Sequence, residues 1–274
     1  MQGRLVPKYK KQYQSHPVGY WDQEFDVAAQ LGLDLVEFIV DLDGIEENPL
    51  MSASGMARVA EVAASTGVRV SSICADCFMV APLHSADALV ARSSAAYLQR
   101  LVDHAPVLGI SDIVIPCVDQ SSLRSHDDTA RFVAALEPLL GDADRNGVNL
   151  SLETDLDPER FARLLERFDS PRVTVNYDTG NSASLGYNPR EELAAYGGKI
   201  SDIHLKDRVT GGGSVVLGTG NTDFDAFFDA LGPLDYRGFF ILQAYRDDEG
   251  VVIFRKQLEW IRPYIEAYGA WNRQ

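Results

Sequence analysis

Two carboxylates, an imidazole and an amide stand at the ends of four apolar runs in the second half of the chain. Val173, Thr174 and Val175 lead to Asp178, which is followed by Gly180 and Asn181. Residues 148–155 (VNLSLETD) run to Glu153, residues 200–207 (ISDIHLKD) to His204, and residues 239–245 (FFILQAY) to Gln243. Short runs of β-branched and aromatic residues bounded by turn formers read as buried strands. Such a strand has no use for a carboxylate, an imidazole or an amide at its mouth unless something there binds it. Two carboxylates, one ring nitrogen and one amide oxygen make a donor set for a divalent ion such as Mn²⁺, Co²⁺ or Mg²⁺.

These residues are far apart in sequence, so the fold must bring them together. Ahead of them, strand patterns fall at residues 1–5, 35–40, 68–75 and 112–116. Helical patterns fall between them, at residues 21–31, 52–66, 86–108 and 127–146. Glycines 32, 67, 109 and 147 stop these helices immediately before the next strand. Later helices are expected at 158–168, 189–196, 223–231 and 251–268. Eight strand–helix units in strict alternation imply a parallel sheet covered by helices. Eight units in a chain of 274 residues, with no linker among them, fit one closed (β/α)₈ TIM barrel spanning residues 1–274. A doubly wound open sheet competes, but no dinucleotide-binding glycine fingerprint follows the first strand. In a barrel all the strand ends meet at one mouth. Glu153, Asp178, His204 and Gln243 then share one half of the rim, and Arg4, Glu37, Asp76 and Asp119 lie on the other half.

The formal net charge of −15 repels nucleic acid and anionic membranes, so neither is an expected partner. The apolar runs are too short to span a bilayer, and the polar residues after Met1 open no secretory leader. Three cysteines form no disulfide framework, and the expected compartment is the cytoplasm. Cys74-Ala-Asp-Cys77 has no second such pair to complete a zinc site and opens no redox helix, so it reads as a strand end.

The segments LSLETD, YDTGNSASLGYNPREEL, ISDIHLKDR, VVLGTGNTDF and YRGFFILQAYR resemble the xylose-isomerase-like TIM barrels. Within these they resemble the group of L-ribulose-5-phosphate 3-epimerases, ketose 3-epimerases and inosose dehydratases. The resemblance implies one Mn²⁺-type ion held by Glu, Asp, His and Glu at the ends of strands five to eight. Glu153, Asp178 and His204 match the first three, and Gln243 stands where the last Glu is expected. An amide can ligate through its oxygen but carries no proton, so the two-base epimerisation of the family is missing one of its groups here. Asn181 matches the phosphopentulose epimerases. The early strands lack the histidines of a trinuclear endonuclease site.

The resulting expectation is a metal-dependent sugar or sugar-phosphate isomerase or epimerase. Glu153 would be the general base that takes a proton beside a ketone to form an enediolate. The ion would be Mn²⁺, with Mg²⁺, Co²⁺ and Zn²⁺ as alternatives. Lys206, Arg208 and Arg246 would hold an anionic or polyhydroxyl substrate, together with Arg4, Glu37, Asp76 and Asn181. The glycines from 211 to 220 read equally as a phosphate-binding loop and as a plain mobile one. The protein is expected to form a homo-oligomer. Two rivals remain: a lyase of the inosose-dehydratase kind, which needs one base only, and a sugar-binding relative that has lost catalysis.

Overall fold

The computed structural model describes residues 1–2, 5–246 and 250–271, with the backbone alone for 270 and 271. In chain order the first elements are α1 (Gln23–Gln30), β1 (Leu35–Ile39), α2 (Ala53–Thr66), β2 (Arg69–Cys74), α3 (Cys77–Val80), α4 (Ala88–Leu108) and β3 (Asp112–Cys117). There follow α5 (His126–Leu136), α6 (Leu140–Asn146), β4 (Asn149–Thr154), α7 (Pro158–Leu165), β5 (Val173–Asp178), α8 (Thr179–Leu185) and α9 (Pro189–Tyr196). The chain ends with β6 (Ile200–Leu205), the short β7 (Asp207–Arg208) and β8 (Ser214–Val215), α10 (Phe224–Leu231), β9 (Phe239–Leu242) and α11 (Val251–Trp271).

Seven strands form one parallel sheet in the order β1-β2-β3-β4-β5-β6-β9. At the free edge of β1, Gln2 makes a parallel bridge to Glu37, where the first of eight strands was expected. Gly3 and Arg4 of that segment lie outside the described residues. The sheet is thus a nearly closed TIM barrel. The helix expected over 127–146 is two helices joined by a 3₁₀ turn at Glu137–Leu139. Pro138 sits in that turn, where its missing N–H interrupts the helical ladder. At Gly67 and Gly147 the φ angles of +74° and +68° are left-handed, so a residue without a Cβ ends the helix and releases the chain into the next strand.

Each strand splits its residues between two environments, because side chains alternate faces with period two. In β4, Leu150 and Leu152 join the hydrophobic core under the helices, while Ser151 and Glu153 belong to the polar interior. In β5, Val173, Val175 and Tyr177 pack in that core while Thr174, Asn176 and Asp178 are the polar set. In β6, Ile203 and Leu205 oppose Asp202 and His204 in the same way. The polar set fills the barrel by bonding to itself. Ser151 Oγ lies 2.9 Å from Thr174 Oγ1, 2.6 Å from Ser201 Oγ and 3.1 Å from Asp112 Oδ1. The register of β5 with β6 sets Asp178 opposite His204, and Asn176 opposite Asp202.

The segment after β6 is pinned at one buried carboxylate. Asp207 Oδ2 accepts from the backbone N–H of Gly218 at 2.9 Å and Gly220 at 2.8 Å, and Oδ1 from Thr222 at 3.0 Å. Those glycine N–H groups are therefore already used and do not point at a phosphate. Asp207→Ala should leave three amides without an acceptor and lower unfolding stability by about 2–4 kcal/mol. Urea denaturation followed by circular dichroism reads the change. An unaltered midpoint would show that water replaces the carboxylate at no cost.

Candidate metal and active site

The strand ends bring Glu153, Asp178 and His204 together: one ligand atom from each lies within 4.8 Å of the others, and all three residues are buried. Asp178 divides its two oxygens. Its Oδ1 caps α8, accepting from the N–H groups of Gly180 at 2.9 Å and Asn181 at 2.8 Å. The chain after Asp178 is thus a helix N-terminus, which the carboxylate satisfies. Its Oδ2 is buried, receives no hydrogen bond and faces Lys206 Nζ at 3.6 Å.

Glu153 is held by two amides. Asn181 Nδ2 donates to Oε1 at 2.5 Å, and Asn176 Nδ2 to Oε2 at 3.4 Å. Burial, and then the nearby Asp178 charge, push its carboxyl up to about 7. A carboxylate poised near neutrality is what a general base needs.

His204 is completely buried and has two unlike sides. Its Nε2 lies 2.9 Å from Glu37 Oε1, and Glu37 Oε2 in turn accepts from Ser72 Oγ at 2.8 Å. Its Nδ1 lies 3.1 Å from Asn176 Nδ2 and 3.0 Å from Gln243 Nε2. Burial alone would lower the ring's pKa, but the Glu37 carboxylate beside it overrides that and raises the ring to about 10. The same contact pulls Glu37 below the usual carboxylate range against the effect of its burial. Glu37 stands against Nε2, so a ring that has lost one proton to a bound cation would keep the other on Nε2 and turn the Nδ1 lone pair toward the Asn176 and Gln243 side.

A divalent ion fits these residues. Asp178 Oδ2 and Gln243 Oε1 are both buried without a hydrogen-bond partner. A half-turn of the Gln243 amide exchanges two atoms of nearly equal shape and would set Oε1 beside Nδ1. Glu153, Asp178, His204 and Gln243 would then supply oxygen and nitrogen donors to one point. Burial of two adjacent carboxylates beside one imidazole also leaves negative charge that a cation offsets.

Above the cluster a cavity of about 610 Å³ opens between the strand ends. Asp76, Asn181, Lys206, Arg208 and Arg246 line it with Glu153 and Gln243. Arg208 is not a free cation, since Nη1 donates to Asn181 Oδ1 at 2.7 Å, and Nε and Nη2 donate to Gly212 O. Arg246 lies over the Tyr13 ring, 4.0 Å from its centre. Arg4 lies outside the described residues. Glu37 departs from expectation: it is not on the substrate rim but in the barrel interior behind His204. Three interior residues were not foreseen, namely Asn176, Asp202 and Ser72. Their signal was the alternation itself, with polar residues at every second position of 174–178 and again at 202 and 204. A second cavity of about 360 Å³, at the seam of β1 with β9, is lined largely by apolar residues and none of this machinery.

The sequence profile of the xylose isomerase-like TIM-barrel family matches residues 25–264. An L-ribulose-5-phosphate 3-epimerase from Salmonella heidelberg is 26% identical, over 91% of this chain and 91% of its own. A 2-epi-5-epi-valiolone 7-phosphate 2-epimerase from Actinoplanes sp. is 29% identical, over 86% of this chain and 87% of its own. A solved xylose isomerase-like TIM-barrel protein from Mycobacterium smegmatis, in complex with magnesium, superposes with a TM-score of 0.71 at 20% identity. It covers 92% of this chain, and this chain covers 90% of it.

Glu37→Gln should weaken Mn²⁺ binding by about 10–100-fold, because the amide cannot hold the ring as a carboxylate does. The thermal midpoint of the metal-free protein should change far less than the affinity. Titration calorimetry with Mn²⁺ measures the first, and an unchanged affinity would show that His204 is oriented without Glu37.

Proposed function

Since the chain belongs to the xylose isomerase-like TIM-barrel family, we propose that it is a divalent-metal-dependent epimerase or isomerase of a sugar or sugar phosphate. The observation that carries this reading is the convergence of Glu153, Asp178 and His204 on one buried point beneath an open polar cavity. The named relatives are epimerases of L-ribulose 5-phosphate and of 2-epi-5-epi-valiolone 7-phosphate, which supports a phosphorylated substrate here. Lys206, Arg208 and Arg246 are the cations that line the cavity among the described residues.

A bound divalent ion supplies Lewis acidity toward a carbonyl and its neighbouring hydroxyl. Mn²⁺ is our assignment, and Mg²⁺, Co²⁺ and Zn²⁺ suit the same donors. Glu153 takes the proton from the carbon beside the carbonyl, leaving an enediolate. Asn181 and Asn176 hold its carboxylate in place for this transfer. Asn181 is itself held by Arg208, so the same guanidinium links the cavity wall to the base. We read residues 1–274 as one domain that works in the cytoplasm as a homo-oligomer. Its three cysteines are free and buried, in keeping with a reducing compartment.

Gln243 favours a second reading. With no carboxylate there, Glu153 alone is enough to expel a β-hydroxyl from the enediolate, which is dehydration.

The Mn²⁺-loaded protein should place deuterium from D₂O on the carbon beside the carbonyl of its substrate. A panel of ketoses and their phosphates, followed by NMR, finds the position. Glu153→Gln should lower the exchange by about 10²–10⁴-fold. Loss of water from a panel member would select dehydration. Metal binding with no exchange on any panel member would leave a sugar-binding relative without catalysis.

A further inference from the structure

We propose that Asp76 is the second proton carrier of this site, acting on the side of the substrate carbon away from Glu153. The inference rests on the epimerase reading above. Inverting one carbon requires removal of a proton from one face and delivery to the other. Gln243, which stands where the family places a second carboxylate, carries no proton. Among the described residues, four carboxyls line the mouth cavity: Asp41, Asp76, Asp119 and Glu153.

Two of them are unsuited. Asp41 Oδ2 is committed to the 12–18 loop, accepting from Ser15 Oγ at 2.8 Å and His16 N at 2.7 Å. Asp119 is exposed at the rim, where water solvates it. Asp76 differs from both. It stands two residues past the end of β2, at the N-cap of α3, so its backbone is fixed by the barrel. Its Oδ1 accepts from Cys74 Sγ at 3.1 Å, and Oδ2 from Gln14 Nε2 at 3.4 Å. Both donors are neutral and weak, so neither locks the group as an anion. Burial pushes the Asp76 carboxyl up to about 6, and Asp41 and Glu37 add to that.

Its position fits the task. In the sheet order β2 lies four places from β6 and three from β5. In a nearly closed barrel this sets Asp76 across the mouth from Asp178 and His204, with the cavity between. The charge of Asp76 adds, as a small contribution after burial and Asp178, to the rise of the Glu153 carboxyl. Glu153 stands at the end of β4, two places from β2, so the two carboxyls reach the cavity from different sectors of the rim.

The transfer balances without a co-reactant. The Glu153 carboxylate accepts the proton, the C–H pair becomes the C=C bond, and the carbonyl π pair moves to oxygen. The Asp76 O–H then gives its proton to the opposite face of the same carbon as C=O re-forms. Glu153 is left protonated and Asp76 ionised, and solvent exchange through the open cavity restores both. In the reverse direction the two residues trade roles.

Two epimer pairs serve as probes with the Mn²⁺-loaded protein in D₂O: L-ribulose 5-phosphate with its C3 epimer, and D-fructose with D-psicose. With an active pair the wild type should exchange the C3 hydrogen of both members and interconvert them. Asp76→Asn should lower interconversion by about 10²–10⁴-fold. It should keep exchange on one member of the pair only, the one whose hydrogen faces Glu153. Glu153→Gln should keep exchange on the other member only. If the amide at 76 prevents folding, Asp76→Ser takes its place in the same comparison. Exchange of both members, or of neither, by the Asp76 variant would overturn the assignment. A wild type that exchanges neither pair would overturn the epimerase reading beneath it.

Discussion

Burial of a single unpaired charge costs several kcal/mol, and this barrel buries four carboxylates around one imidazole. Glu37, Asp202, Glu153 and Asp178 all offer oxygens to the space around His204, and every one of them is buried. The interior is built to manage that charge. Glu37 is answered by the ring and by Ser72, Asp178 by a helix N-terminus, and Glu153 by two amides. Asp202 is held well above the usual carboxylate range by burial and by Glu37 beside it. What these contacts leave over is one direction of negative potential, toward the Nδ1 side of His204. A cation there completes the balance that the side chains begin.

The same constraint accounts for the neighbouring loops. Lys206, which approaches Asp178, is placed by the segment that Asp207 anchors, through Thr179 Oγ1 accepting from Lys206 N at 3.0 Å. Gly180 sits so close to this segment that a Cβ there would lie 2.8 Å from Lys206 Cγ. The start of α8 and the end of β6 are therefore one packed unit, carrying Asp178, Asn181 and Lys206 together. A site made this way depends little on loop flexibility, and the ligand atoms are pre-set by the barrel.

Much of this was legible in the sequence because a polar residue at a strand end is conspicuous. Glu153, Asp178, His204 and Gln243 each interrupt an apolar run, and strict alternation told where those ends must meet. Glu37 was harder. It lies within a run of five buried residues, and its role is set by which strand stands across the barrel from it, not by its neighbours in sequence. Helix Thr179–Leu185 was missed because Gly180 and Asn181 look like a turn, and only the Asp178 cap makes a helix of them. The glycines of 211–220 suggested free amides, whereas Asp207 already accepts two of them. In each case the decisive partner is remote in sequence or already spent on the fold.

His204 presents a carboxylate group on each of its two sides, Glu153 and Asp178 on one and Glu37 and Asp202 on the other. The ion belongs on the first side only in the proposed site. Anomalous scattering from crystals of the Mn²⁺-reloaded protein tests this directly. A single peak bonded to His204 Nδ1, Glu153, Asp178 and Gln243 is the predicted result. A peak between His204 Nε2, Glu37 and Asp202, or no peak at His204, would contradict it.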